Sequence, residues 1–360
     1  MNLKTTRTFL LVILAGCWMG SNQRAIAQLL SPVEPETEVS VKEQIAAVYA
    51  LTQSAQKATD YTEIDQQCQS IMKLDLDDKE RQYVNSLASW ALCRRGFSRF
   101  DLAESFLAAG NQGQSQIVLE QAKTDFDQSA ARDASRWRAY LGRGMVMVRN
   151  GKLEKARADF IQVTEQKPDH LAGWFNLAEV QCALSNYPSA VECYSRVIES
   201  DPADAQAYTG RGHCWYATGD YQAALEDYRL ARQLAPMNQI AKLNCGDAEQ
   251  KLGHWQAAYD CYLQATKVDP LPAAYRQAAG LLTSCPDPKF VRPEEAVELI
   301  EKAIAMEGET VENLTKLAEA QEAQGESDLA STTRQKIADR RVKAAGEPTR
   351  VADSIGNEIK

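Results

Sequence analysis

The chain has 360 residues, of which 44% are hydrophobic, and a formal net charge of −9 at pH 7. This length and apolar content are enough for a large buried core. The acidic balance argues against a general nucleic-acid binder, because such proteins need a basic surface to neutralise phosphates.

The first 27 residues have the pattern of a secretory signal peptide. Lys4 and Arg7 precede a mostly apolar run over residues 9–20, and Ala25 and Ala27 form a small-residue cleavage motif. The apolar run is too short to cross a bilayer as a stable helix. We therefore predict export to the periplasm or the extracellular space, with cleavage after Ala27.

Cys17 allows a second interpretation of the same segment. The run LAGC over residues 14–17 resembles the lipobox of bacterial lipoproteins, in which the cysteine is acylated and becomes the first residue. Trp18 and Met19 prolong the apolar run and favour simple cleavage after Ala27 instead. Both interpretations export the chain, and only acylation of Cys17 would anchor it to a membrane.

A period of 34 residues runs through the middle of the chain, in units that begin at residues 137, 171, 205 and 239. Position 8 of each unit is small, position 20 is alanine, position 24 is aromatic and position 32 is proline. In that order the residues are Gly144, Ala178, Gly212 and Gly246; Ala156, Ala190, Ala224 and Ala258; Phe160, Tyr194, Tyr228 and Tyr262; and Pro168, Pro202, Pro236 and Pro270. A fixed period of this length is typical of a repeat array.

Each unit is predicted to be a pair of antiparallel helices. Small residues at positions 8 and 20 allow the helices to approach closely, glycine or asparagine in the turn ends the first helix, and proline ends the second. This pattern resembles the tetratricopeptide repeat (TPR), and all four units match at every diagnostic position. The resemblance implies an all-α, right-handed superhelical solenoid.

Weaker copies of the pattern extend the array on both sides. We predict degenerate TPR-like hairpins with an insertion over residues 42–136, four regular units over 137–270 and two further units over 271–344, about eight hairpins in all. Residues 28–41 are predicted to be a Pro- and Glu-rich linker, and residues 345–360 a flexible tail.

Positions 7 and 23 face each other across the hairpin in the geometry that the resemblance implies. The four pairs change type together: Arg143 with Asp159, Leu177 with Cys193, Arg211 with Asp227, and Cys245 with Cys261. An arginine between helices needs a carboxylate partner, so the two charged pairs are predicted to be structural ion pairs. The cysteine pair is either a disulfide or two buried thiols, and the sequence leaves both open.

No recognised catalytic motif, metal-ligand spacing or cofactor loop occurs in the sequence. The run GRG appears at 142–144 and 210–212, two periods apart, which indicates helix-packing glycine rather than a phosphate loop. We therefore predict no catalytic residue, no metal and no cofactor. The alternative is an enzyme whose site lies in the two atypical stretches, residues 94–115 and 283–295.

In TPR proteins the concave wall is built from the first helix of each unit and binds peptides or protein partners. The corresponding positions here are Arg138, Arg149, Phe175, Asn176, Glu179, His213, Tyr216, Asn244, Asp247 and Lys251. Aromatic residues supply contact area, and asparagine can hydrogen bond to the backbone of an extended peptide. The clamp by which TPR cochaperones hold a C-terminal carboxylate is absent, because Leu141 and Met145 stand where lysine and asparagine belong.

The sequence therefore favours an exported, non-catalytic scaffold that binds a peptide or protein partner in its concave groove, and no nucleic acid. If Cys17 is acylated, the chain resembles the TPR lipoproteins that support outer-membrane or pilus assembly, a variant that rests on analogy of fold.

Overall fold

The structure, a computed structural model, describes residues 39–267 and 270–346. Within these residues the secondary structure is sixteen α-helices and one 3-10 turn, with no strand. The predicted signal peptide, Cys17 and most of the predicted linker lie outside the described residues, as do residues 347–360 of the predicted tail. The prediction of an all-α solenoid of helical hairpins is confirmed.

Consecutive helices pack against each other as eight hairpins, and each hairpin packs against the next. In chain order the helices are α1 Val41–Ser54, α2 Ala58–Ile71, α3 Asp78–Ala108, α4 Gln112–Arg132, α5 Trp137–Arg149, α6 Leu153–Gln166, α7 Leu171–Ala183, α8 Tyr187–Ser200, α9 Ala205–Thr218, α10 Tyr221–Leu234, α11 Gln239–Lys251, α12 Trp255–Gln264, α13 Pro272–Ser284, α14 Pro293–Glu307, α15 Val311–Gln324 and α16 Ser327–Gly346.

The helix boundaries follow from local signals in the sequence. Helix α1 begins one residue inside the predicted linker, because Ser40 and Glu43 form a capping box at its start. Helices α5, α7, α9 and α11 begin at the four predicted unit starts. Asp204 caps α9 by accepting hydrogen bonds from the first turn, and Gly219 ends it in the left-handed conformation at φ 89°.

Aromatic rings at position 24 set the spacing between helices. A Cβ atom added to Gly144 would lie 2.6 Å from the ring of Phe160 in the same unit. The glycine two residues earlier faces the preceding unit, since a Cβ added to Gly142 would lie 2.2 Å from the ring of Phe126. Each such ring is therefore held between two successive first helices, and the GRG run serves this packing.

The two atypical stretches belong to the scaffold. Helix α3 is one continuous helix of 31 residues and packs along α4, which has 21, so the predicted insertion lengthens both helices of one hairpin. The second stretch forms a 3-10 turn at Pro288–Phe290 between α13 and α14. The backbone N–H of Arg292 donates to the carbonyl of Leu282 at 2.9 Å and fixes this turn to α13.

Candidate functional site

Two arginines at position 7 are bound by aspartates at position 23. Arg143 donates to both carboxylate oxygens of Asp159 at 2.7 and 2.9 Å, and Arg211 to those of Asp227 at 2.8 Å each. Both aspartates are buried. Fork-to-fork contacts of this kind hold the two helices of a hairpin in register, so these charges serve the scaffold.

A third pair of the same kind was missed in the sequence. Arg95 on α3 donates to Asp125 on α4 at 2.7 and 3.1 Å, and Arg99 contacts the same carboxylate at 2.6 Å. The long helices of this hairpin place 30 residues between the partners, instead of the 16 that separate Arg143 and Asp159. The available signal was Asp125 itself, which lies 34 residues before Asp159.

The other two pairs at positions 7 and 23 are uncharged. Leu177 and Cys193 are both buried in one apolar cluster. Cys245 and Cys261 are both buried and are free thiols in this structure, and the disulfide between them stays a prediction. Burial raises the pKa of Cys245 to about 12, which makes this thiol a packing group rather than a nucleophile at neutral pH.

A groove of about 610 Å³ lies between α7, α9 and α11, on the face formed by first helices. It contains four of the ten predicted groove residues: Phe175, Glu179, His213 and Asn244. It also contains residues that the prediction omitted, among them Cys182, Tyr194, Gln206, Thr209 and Ile240. Three successive units thus contribute to one continuous depression.

The remaining predicted residues lie outside this groove. Arg149 forms an ion pair with Glu104, and Lys251 is exposed near the end of α11. Asn176 is half-buried on α7, and Tyr216 packs edge-on against the ring of Tyr221 at 5.2 Å. Asp247 lies on α11, and Arg138 lies in a separate pocket beside α3; both are described below.

Tyrosines at position 24 fix two carboxylates on this concave face. The hydroxyl of Tyr194 donates to Glu179, and that of Tyr262 lies 2.8 Å from Asp247 Oδ1. Burial raises the pKa of Asp247, and the hydrogen bond from Tyr262 partly opposes this effect. Burial of the rings is the main reason why the pKa of both tyrosine hydroxyls is raised. Both hydroxyls therefore stay neutral and donate hydrogen bonds.

A cluster of two thiols and an imidazole lies at the groove. Cys182 on α7 neighbours Cys214 and His213 on α9, and their proximity lowers the pKa of Cys182 against the effect of burial. The same contact with Cys182 raises the pKa of His213. No repeat pattern predicted this cluster, because its cysteines come from different units. Among the described residues no group of three His, Cys, Asp or Glu side chains is arranged to hold a metal ion.

Comparison with known families identifies the repeats. The family model of the tetratricopeptide repeat matches residues 119–170 and 175–238. The chain therefore contains tetratricopeptide repeats over these residues, as predicted, and they lie within the array of packed hairpins. Repeats of this family form protein–protein interaction surfaces, and the chain is accordingly an interaction scaffold. Comparison with curated protein sequences found no match.

Comparison with solved structures found several that are similar to this chain. A tetratricopeptide repeat protein from Parabacteroides merdae is 15% identical, with 78% of this chain and 98% of that chain covered and a TM-score of 0.46. MamA from Desulfovibrio magneticus is 17% identical over 48% of this chain and 93% of that chain, with a TM-score of 0.42. YrrB, described as a TPR protein with an unusual peptide-binding site, is 20% identical over 50% and 89%, with a TM-score of 0.41.

Proposed function

We propose that the chain is an exported, non-catalytic scaffold that binds an extended segment of a protein partner in the groove between α7, α9 and α11. The observation that carries this proposal is a set of polar side chains without internal partners. The amides of Gln206 and Asn244, which line this groove, are exposed or half-buried, and no hydrogen bond joins either side chain to another described residue. Such amides can pair with the backbone of a peptide, which offers one donor and one acceptor per residue.

Apolar contact area lies beside these amides. Phe175 is half-buried and meets the ring of Tyr194 edge-on at 5.7 Å, so its position is fixed before a partner binds. Ile240 is 56% exposed at the same groove. A fixed aromatic ring and an exposed aliphatic side chain beside free amides suit a segment with alternating apolar side chains and an accessible backbone.

Site-specific photocrosslinking tests the groove. The photoreactive residue p-benzoylphenylalanine replaces Phe175 in one variant and Arg196, which is 67% exposed on α8, in a matched control. We expect irradiation in the native cells to give a discrete protein adduct from position 175 and not from position 196. The adduct is identified by mass spectrometry and reproduced with the purified partner. Equal adducts from both positions, or none from position 175, would contradict binding in this groove.

Export rests on the N-terminal pattern, and no helix of the described residues is both long and apolar enough to cross a membrane. The mass of the intact protein from its native cells tests it. A chain that begins at Gln28 supports a secreted or periplasmic scaffold, and an acylated chain that begins at Cys17 supports the lipoprotein variant with a role in envelope assembly. A mass that begins at Met1 would contradict export.

A further inference from the structure

A second pocket, of about 290 Å³, lies where α3 meets the start of α5. It is lined by Trp90, Cys93, Arg94, Arg136 and Arg138. The first three come from successive turns of α3, the first helix of its hairpin, and the other two flank the first residue of α5. The pocket therefore lies among first helices, as the groove between α7, α9 and α11 does. The repeat positions predicted only Arg138 of these five residues, because the insertion in α3 shifts the residues of that helix out of the 34-residue period.

The three arginines differ in how they are held. Arg136 lies 3.2 Å from Asp133 and donates to the carbonyl of Ser86 at 2.9 Å, so it is a fixed part of the pocket wall. Arg94 and Arg138 are exposed, and among the described residues neither has a carboxylate within 4.0 Å. These two guanidinium groups thus keep donors available in a chain whose net charge is −9.

Neighbouring rings position the two unpaired arginines. The guanidinium carbon of Arg138 lies 4.3 Å from the ring centre of Trp137, and that of Arg94 lies 5.9 Å from the ring centre of Tyr61. Stacking on a ring reduces the conformational entropy lost on binding and leaves the edge of the guanidinium group free to donate. All three guanidinium charges act on the thiol of Cys93, although burial outweighs them and raises its pKa to about 11. The positive charges therefore converge on one place.

We propose that this arginine pocket binds the oxyanion of an acidic side chain on the partner segment, either a carboxylate or a phosphoryl group. The inference rests on the proposed function, since it names the chemistry of one end of the bound segment. Arginine forks match both groups because each presents paired oxygens. The volume of the arginine pocket, about ten times that of one water molecule in the liquid, suits a single side chain. A nucleic acid needs a far longer basic track.

The test measures binding of fluorescein-labelled decapeptides to the full chain by fluorescence anisotropy at about 50 and about 200 mM salt, because added salt screens exposed charges. One peptide carries four glutamates in an alanine background, a second carries glutamines and a third carries phosphoserines. We expect the glutamate peptide to bind at least fivefold more tightly than the glutamine peptide, with the preference reduced at the higher salt. Preference for the phosphoserine peptide over the glutamate peptide would identify a phosphoryl group, and the reverse a carboxylate.

The variant R94Q/R138Q should lose this preference. The control R157Q/R196Q removes the same charge from a half-buried position on α6 and an exposed one on α8, and should keep the preference within twofold. Circular dichroism melting shows whether each variant is folded. Equal binding of the glutamate, glutamine and phosphoserine peptides to the unmodified chain, or the same loss in both variants, would overturn the proposal. If the adduct at Phe175 still forms in that case, the groove proposal stands; if it is absent, the proposed function fails independently.

Discussion

Replacing Asp227 by asparagine tests how the ion pairs inside the hairpins stabilise the solenoid. The change removes the carboxylate that receives two hydrogen bonds from Arg211 and leaves that guanidinium group with the hydroxyl of Ser195 at 3.0 Å. Breaking a fully buried pair costs about 3–5 kcal/mol. The side chain of Arg211 is 22% exposed, so water compensates in part, and we expect a loss of about 2–3 kcal/mol.

The same substitution at Asp159 provides a matched comparison. Arg143 has a second carboxylate, Asp127, at 3.0 Å, which remains when Asp159 becomes asparagine. We therefore expect Asp159→Asn to cost about 1 kcal/mol less than Asp227→Asn, because a charged acceptor outweighs a neutral hydroxyl. The two aspartates occupy the same position in their units, so differences in helix propensity cancel.

Urea denaturation followed by far-ultraviolet circular dichroism measures both changes. Repeat arrays can unfold in steps, so the slope of each transition is compared before free energies are calculated. The variant R211L/D227L, which removes both charges, should lie within about 1 kcal/mol of the unmodified chain. Equal losses for the two aspartate variants would refute the argument that Asp127 compensates Arg143.

Further predictions concern the packing of two glycines and the titration of Cys182 and Asp247. Gly246→Ala should destabilise by about 1–3 kcal/mol, because its Cβ would lie 2.4 Å from a tyrosine ring. Gly280→Ala, where the added Cβ meets only a lysine side chain at 3.8 Å, should stabilise by about 0.5–1 kcal/mol in urea denaturation. Cys182 should be the first thiol alkylated by iodoacetamide near pH 7, and His213→Ala should shift the pH midpoint of that reaction upward, because the imidazole lowers the pKa of Cys182. Asp247 has a raised pKa in the folded chain, so its contribution to stability falls as the pH rises from its unfolded value through the folded one. Asp247→Asn should therefore reduce the pH dependence of the melting temperature across that range. An unchanged dependence would contradict the raised pKa of Asp247.

The fold was predictable because its determinants repeat at a fixed interval. Phe160 packs against Gly144 of its own unit, and the period brings the same contact to the units that contain Gly212 and Gly246. Arg95 and Asp125 make the same kind of ion pair as the regular units, but their sequence spacing is different because α3 and α4 are longer. A pattern search with one period finds the first kind of contact and misses the second.

Contacts between different units explain why the candidate sites were only partly predictable. Cys182 and Cys214 occupy different positions of successive units, so no repeat position pairs them. Arg94 and Arg138 line the same pocket because an irregular hairpin packs against the start of a regular one. Such contacts depend on how neighbouring hairpins are rotated against each other, and this rotation is a property of the packed array rather than of any single unit.

Variation between units separates the scaffold from the surface that recognises a partner. Position 24 is aromatic in every regular unit, because a ring there fills the space between two first helices. Position 9 belongs to the first helix of each unit and holds four chemically different residues, Met145, Glu179, His213 and Asp247, of which Glu179 and His213 line the groove. Packing does not require one residue type at that position, so each unit can present its own chemistry to a bound segment. The order apolar, acidic, imidazole, acidic along the first helices is not symmetric, so a segment bound as proposed above would meet different chemistry in its two possible orientations.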